Sequence, residues 1–248
     1  VHACGHNAQC AILLGVAAAM KEPGALDGLC GSIRFMAVPA EELIELGFRE
    51  ELRKQGVIRY FGGKVEFISR GYFDGVDMAM MIHSGKLPEG KTLSVSQGCN
   101  GCITKNITFK GVASHAGGSP HLGRSALDAA ELMNVGCNYL REHMIPEARI
   151  HYAYIDAGGT SPNVVQDNAT VRYEIRAPFS SQLDELFERV KDVARGAALM
   201  TGTKMDCELA MAFTEYVPNR ALAQVADECL HEVGAPKWDE SDYQLARE

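Results

Sequence analysis

Near the start of the sequence, His2-Ala3-Cys4-Gly5-His6-Asn7 places a thiol and an imidazole two residues apart. Side chains at that spacing reach one metal ion only from a bent backbone, and Gly5 between them permits the bend. A second cluster, Pro39-Ala40-Glu41-Glu42, follows the run Ser32-Ile33-Arg34-Phe35-Met36-Ala37-Val38. That run reads as a buried strand with two adjacent carboxylates at its C-terminal end, where open α/β sheets gather their chemistry. One carboxylate of such a pair can hold a metal while its neighbour handles a proton, the division of labour that metal-assisted hydrolysis requires.

The eight cysteines, at irregular spacing, read as reduced thiols and mostly as small buried hydrophobes. Cys99-Asn100-Gly101-Cys102 has the Cys-x-x-Cys form, but no second such pair completes a structural zinc site and no thioredoxin-like helix start follows it. His2 fits either a supporting role beside the metal or a plain loop position. His121, His143, His151 and His231 belong to no motif and are left without a role.

The elements that must position these groups follow from periodicity. Residues 8–20 and 43–55 carry helical patterns, and 32–38 and 76–83 read as buried strands. Alternating strands and helices predict a parallel, doubly wound α/β layer. After Gln97-Gly98 the pattern changes. Strands are expected at Asn106–Gly111, Arg149–Ala157, Ala169–Ala177 and Lys204–Phe213. Helices are expected at Ser125–His143, with apolar Leu127, Ala130, Leu132, Val135 and Leu140, and at Gln182–Met200. The order βαββαβ is that of a ferredoxin-like split unit, one antiparallel sheet with two helices on one face. The helix expected over 219–233 returns to the first domain. The domain reading is therefore 1–98 with 214–248 as one α/β domain, and 99–213 as a module inserted into it.

Composition narrows the partners. With 248 residues, 46% apolar and 23% charged, the chain can bury a substantial core. Its net charge of −8, with no basic cluster, argues against a nucleic-acid partner. The longest apolar stretch, Ala11 to Met20, is too short to span a bilayer and lacks a signal peptide's basic flank. A cytoplasmic protein without a membrane partner is expected. The sequence begins at Val1 on a motif, so an internal fragment of a longer polypeptide is expected as well.

Several motifs together carry a resemblance. The stretch from His2 to Asn7, the Pro39–Glu42 tetrad, the strand-end His83, Gly111-Val112-Ala113-Ser114-His115-Ala116-Gly117 and Ser161-Pro162-Asn163-Val164-Val165-Gln166-Asp167 resemble, in order, the dinuclear-metal amidohydrolase and carboxypeptidase superfamily. That superfamily includes aminoacylases, indole-acetyl-amino-acid hydrolases and p-aminobenzoyl-glutamate hydrolases. The likeness runs from residue 1 to about residue 215. It is strongest to the p-aminobenzoyl-glutamate hydrolase branch, through Asn7 and the helix segment Asn134-Val135-Gly136-Cys137-Asn138-Tyr139-Leu140-Arg141-Glu142.

The resemblance implies that Cys4, His6, Glu42 and His83 are ligands of two divalent metal ions. Thiolate, imidazole and carboxylate together suit Mn²⁺ or Zn²⁺. It implies that Glu41 is the base that activates water and then protonates the leaving amine. The inserted module becomes a lid and dimerisation domain, whose His115 reaches the partner's site in a homodimer to stabilise the oxyanion. Asn163 and Arg176 become contacts to the substrate carboxylate, a role that suits the guanidinium fork. The implied activity is metal-dependent hydrolysis of the amide bond of an N-acyl or N-aroyl amino acid, aminobenzoyl-glutamate-like. Within the superfamily, a dipeptidase or aminoacylase is the alternative. Outside that class, the alternative is a non-catalytic binding or assembly subunit that keeps the lid dimer. That second alternative is favoured by one departure, since residues 219–248 offer no counterpart of the further C-terminal His the superfamily uses, whereas the intact Glu41 and Cys4-x-His6 argue against it.

Overall fold

The computed structural model describes residues 4–85, 87–95 and 98–247; His2 lies outside them. The chain divides into two compact units, Val1–Thr92 and Leu93–Glu248.

In the first unit, α1 (His6–Ala19), α2 (Leu46–Lys54) and α3 (Gly63–Ser69) are joined by long irregular segments. The helices expected over 8–20 and 43–55 form; α3 has no counterpart among the expected elements. The expected strands do not form. Among the described residues, 32–38 and 76–83 form no strand ladder and this unit holds no sheet, so the doubly wound layer is not observed. The physical reason is that a parallel strand exists only through a hydrogen-bonded neighbour and elements that cover its faces. Without them Ile33, Phe35, Met78, Met80 and Met81 remain exposed despite their strand-like pattern.

The second unit is built on β1 (Gly101–Lys110), β3 (Arg149–Asp156), β5 (Asn168–Ala177) and β6 (Lys204–Phe213). They form one antiparallel sheet in the order β3-β5-β1-β6, with β1 and β5 in register from Gly101–Ala177 to Lys110–Asn168. Helices α4 (Ala126–Leu140) and α5 (Ser180–Thr201) complete the βαββαβ order expected from sequence. The core shows both periodicities at once. Alternate residues Ile107, Phe109, Val171, Tyr173 and Ile175 of the sheet meet Ala126, Ala130, Met133 and Cys137 of α4 and Leu183, Leu186, Phe187, Val190, Ala194 and Ala197 of α5. Each large apolar side chain buried this way stabilises the unit by about 1.5–3 kcal/mol.

Helix α4 starts where the Ser125 hydroxyl accepts the Asp128 N–H at 3.0 Å, satisfying a donor the helix itself cannot. It turns its small side chains to the sheet and leaves Leu132, Val135 and Tyr139 exposed. Two short strands, β2 (Ser114–His115) and β4 (Val164–Val165), pair beside the sheet. Helices α6 (Arg220–Val233) and α7 (Glu240–Arg247) follow β6 and bury no residue.

The cysteines differ from expectation. Cys102 and Cys137 are buried, Cys207 is intermediate, and Cys4, Cys10, Cys30, Cys99 and Cys229 are exposed; all are free thiols. Cys99 stands outside the ladder that buries Cys102, so the Cys-x-x-Cys spacing is an accident of strand entry.

Candidate metal centre and substrate contacts

The bend between Cys4 and His6 is made at Gly5, whose φ of +88° is accessible to glycine at little cost. A Cβ there would fall 1.9 Å from Ser84 Oγ, so only glycine lets this loop lie against residues 83–84. The Ser84 hydroxyl donates to the Cys4 carbonyl at 3.2 Å, and Cys4 Sγ lies 3.2 Å from His83 Nε2. His6 opens α1 and its Nε2 is 3.0 Å from Glu41 Oε2 and 3.1 Å from Glu42 Oε1. The donor atoms of Cys4, His6 and Glu42 all lie within 4.8 Å of one another. Ligands of a tetrahedral zinc are roughly 3.5 Å apart, so small side-chain movements would close this set on an ion.

The imidazoles are oriented for that use. His83 Nδ1 faces the Ser84 carbonyl at 2.5 Å, and His6 Nδ1 faces Gln9 Oε1 at 2.5 Å. An Nδ1–H that donates to oxygen leaves Nε2 with the lone pair a metal needs. Gln9 is fixed in turn by donating to the Ile82 carbonyl. The His6 lone pair then confronts two carboxylates, which is repulsive unless a cation sits between them. The Gln9 hydrogen bond raises the His6 pKa, desolvation opposes it, and the charges of Glu41 and Glu42 add to the rise. The Cys4 thiol is also pushed up, by desolvation first and then by Glu42 and Glu41. A metal ion at this cluster would compete with protons for the same atoms.

Glu41 and Glu42 sit in a turn flanked by Ala40 and Glu45, each with φ of 53°, and no other non-glycine residue among those described has positive φ. Such backbone persists only when its surroundings over-determine it. Lys64 from α3 donates to Glu41 Oε1 at 2.5 Å. Burial would raise the Glu41 carboxyl, but the Lys64 hydrogen bond and charge outweigh it and hold the group below its usual range. Arg49 from α2 donates to the Glu42 main-chain carbonyl. Gln9, Arg49 and Lys64 are not among the residues that sequence motifs single out. The i, i+3 spacing of His6 and Gln9 is a readable signal for the first, and nothing local marks the other two.

In the second unit, β2–β4 pairing brings His115 and Asn163 together. Gly118 N–H donates to His115 Nδ1 at 2.8 Å, so the neutral ring carries its proton on Nε2. That nitrogen is 3.2 Å from Asn163 Nδ2, and a half-turn of the carboxamide presents oxygen to it instead. The arrangement makes His115 an N–H donor. Arg176 is not brought to this pair. It lies near the far end of β5, eight residues or ~26 Å along the strand from Asn168, where its Nε donates to Glu174 Oε1 at 2.8 Å.

Residues 98–199 match the peptidase dimerisation domain of the M20 group, over the strands and helices just described. That stretch of the chain is similar to an M20 peptidase dimerisation domain. The chain's resemblance to the amidohydrolases extends beyond that domain. Across 247 residues the chain is 38% identical to one of the p-aminobenzoyl-glutamate hydrolase subunits of Escherichia coli (strain K12), covering 100% of this chain and 47% of that protein. It is 32% identical over 228 residues to the Xaa-Arg dipeptidase of Mus musculus, covering 92% and 48%. The chain thus spans about half the length of these relatives. A solved structure from methicillin-resistant Staphylococcus aureus shares the fold, with a TM-score of 0.66 and 20% identity, covering 100% of this chain and 63% of that one. The M20 dimerisation-domain match ends at residue 199, within α5; β6 adds the fourth strand of the same sheet. No helix among the described residues is long and apolar enough to cross a membrane.

Proposed function

We propose that the protein containing this chain is a metal-dependent amidohydrolase. It cleaves the amide bond of an N-acyl or N-aroyl amino acid, with aminobenzoyl-glutamate-like substrates first. The observation that carries this reading is the cluster of Cys4 Sγ, His6 Nε2 and the Glu42 carboxylate, with His83 Nε2 set against Cys4 Sγ and both rings turned by oxygen at Nδ1. Cys4, His6, Glu42 and His83 would hold two divalent ions, Mn²⁺ or Zn²⁺. The bound metal would polarise the scissile carbonyl and make water acidic enough to attack it. Glu41, held beside the ligands by Lys64, takes the proton of that water and returns it to the leaving amine. His115 donates its Nε2–H to the oxyanion, and Asn163 and Arg176 contact the substrate carboxylate. The relatives support the substrate class, because a p-aminobenzoyl-glutamate hydrolase and an Xaa-Arg dipeptidase are both named for amides of an amino acid.

Arg176 and the β2–β4 pair lie too far apart to serve one small substrate. The separation of Arg176 from His115 and Asn163 is accommodated if a homodimer supplies them from different chains, His115 acting in trans. In this reading 99–213 is the lid and dimerisation domain. Residues 1–98 and 214–248 belong to a doubly wound catalytic domain, whose sheet gives 32–38 and 76–83 the neighbours they lack here, and the protein works in the cytoplasm.

The decisive experiment combines metal titration with release of p-aminobenzoate from p-aminobenzoyl-glutamate. Glu41→Gln is expected to keep its metal and lose at least a thousandfold in kcat. Full activity in that variant removes Glu41 from the mechanism. Metal binding without turnover in the unmodified protein would instead favour an assembly subunit.

A further inference from the structure

The first unit buries very little, and what it buries surrounds one turn. Among the described residues of Val1–Thr92 only Arg49, Phe61 and Gly63 are buried. Gly63 opens α3 directly against the turn: a Cβ there would fall 1.9 Å from the Pro39 carbonyl oxygen and 2.7 Å from Val38 Cγ1. Phe61 precedes it, with the Arg53 guanidinium 4.9 Å above its ring. Arg49, 6% exposed, spends its guanidinium on main chain: Nη1 donates to the Phe61 carbonyl at 2.9 Å and Nη2 to the Glu42 carbonyl. Burying a guanidinium is costly, and hydrogen bonds to two carbonyls are what make it tolerable here.

We propose that Arg49 is a positioning residue for the metal centre. Resting on the metal reading above, the inference is that its planar fork pins the Glu42 backbone to the Phe61 carbonyl at the entrance of α3. The Glu42 carboxylate is thereby presented to His6 and Cys4. The left-handed Ala40 immediately before the glutamates explains why an outside clamp is needed: a turn through φ of 53° relaxes unless something holds it. Only arginine suits the position, because two donors in one plane must reach two carbonyls at once, and a lysine ammonium offers a single point.

The test titrates Co²⁺ into the chain and its variants, reading affinity together with the Cys4 thiolate-to-cobalt absorption. Arg49→Met is expected to weaken Co²⁺ at least tenfold while keeping the thiolate band, because Cys4 and His6 are untouched. Arg49→Lys is expected to recover part of that loss. Glu42→Gln weakens binding as much or more, and the double variant should be no more than twofold weaker than Glu42→Gln alone, since Arg49 acts through Glu42. Independent, multiplicative losses would overturn the proposal, as would an Arg49→Met affinity within twofold of the parent. Amide exchange covers the folding question. Loosening confined to residues 39–63 fits a clamp; loss of protection through α1 as well would make Arg49 a general fold residue and overturn it. A parent chain that binds no Co²⁺ sinks the metal reading itself, and this inference with it.

Discussion

Charge placement at single residues decides how the glutamate pair behaves. The Lys64 ammonium holds the Glu41 carboxyl below its ordinary range, although burial acts in the other direction. The sign of the linkage follows. A depressed folded-state pKa contributes stability above the unfolded value of about 4.3, and the contribution is lost as pH falls through the lower folded value. Lys64→Met is therefore expected to move the Glu41 midpoint upward in a carboxyl ¹³C titration of the metal-free chain. An unmoved midpoint would place the Lys64 ammonium in solvent. Residue chemistry was legible where the motif itself creates the geometry. Cys4, Gly5 and His6 are local, and their bend can be read from the glycine. Arg49 and Lys64 were not legible, because each reaches the glutamates across a loop whose path no periodicity describes.

Helix α4 shows how one element serves two surfaces. Its inner face is Ala126, Ala129, Ala130, Met133 and Cys137, small enough for close approach to the sheet. Asn134 is the polar exception. Tyr173 OH donates to its Oδ1 at 2.6 Å, its Nδ2 donates to Tyr154 OH at 3.1 Å, and Tyr154 OH donates to Glu131 Oε1 at 2.6 Å. Burial pushes the Tyr173 phenol well up, so this relay keeps its protons through the alkaline range. Tyr173→Phe leaves the buried Asn134 oxygen without its donor and is expected to cost about 1–3 kcal/mol in denaturant unfolding of the second unit. A loss below about 0.5 kcal/mol, the low end for a hydrogen bond, would mean water replaces the phenol. The strands and helices of this unit were legible because antiparallel ladders and amphipathic helices write their burial into periodicity. Residues 32–38 carry an equally strand-like pattern, yet a pattern supplies no neighbours, and without them the segment stays irregular.

Assembly is the question for the whole molecule. Tyr152, Tyr154 and Ile155 on the edge strand β3 are exposed, as are Leu132, Val135 and Tyr139 on the outer side of α4, and Tyr154 links the two elements. For the homodimer proposed above, this edge is the candidate contact, where pairing would also protect an open ladder. Val135→Glu with Tyr139→Glu is expected to weaken self-association at least a hundredfold by sedimentation, while Leu209→Glu on the opposite edge strand β6 leaves it intact. The reverse pattern would assign the contact to β6. The sheet order has a further consequence, for synthesis. The central strand β1 is made early, yet both its neighbours, β5 and β6, come after α4 and β3 in the chain. Once Lys110 has emerged from the ribosome a ten-residue strand stands with both edges open, and no partner exists until Asn168–Ala177 follows. Loop closure over that span is slow to nucleate, so a nascent chain stalled before Asn168 exposes an adhesive strand. Slower translation between β1 and β5 is therefore expected to lengthen the time for which that open strand can meet another copy.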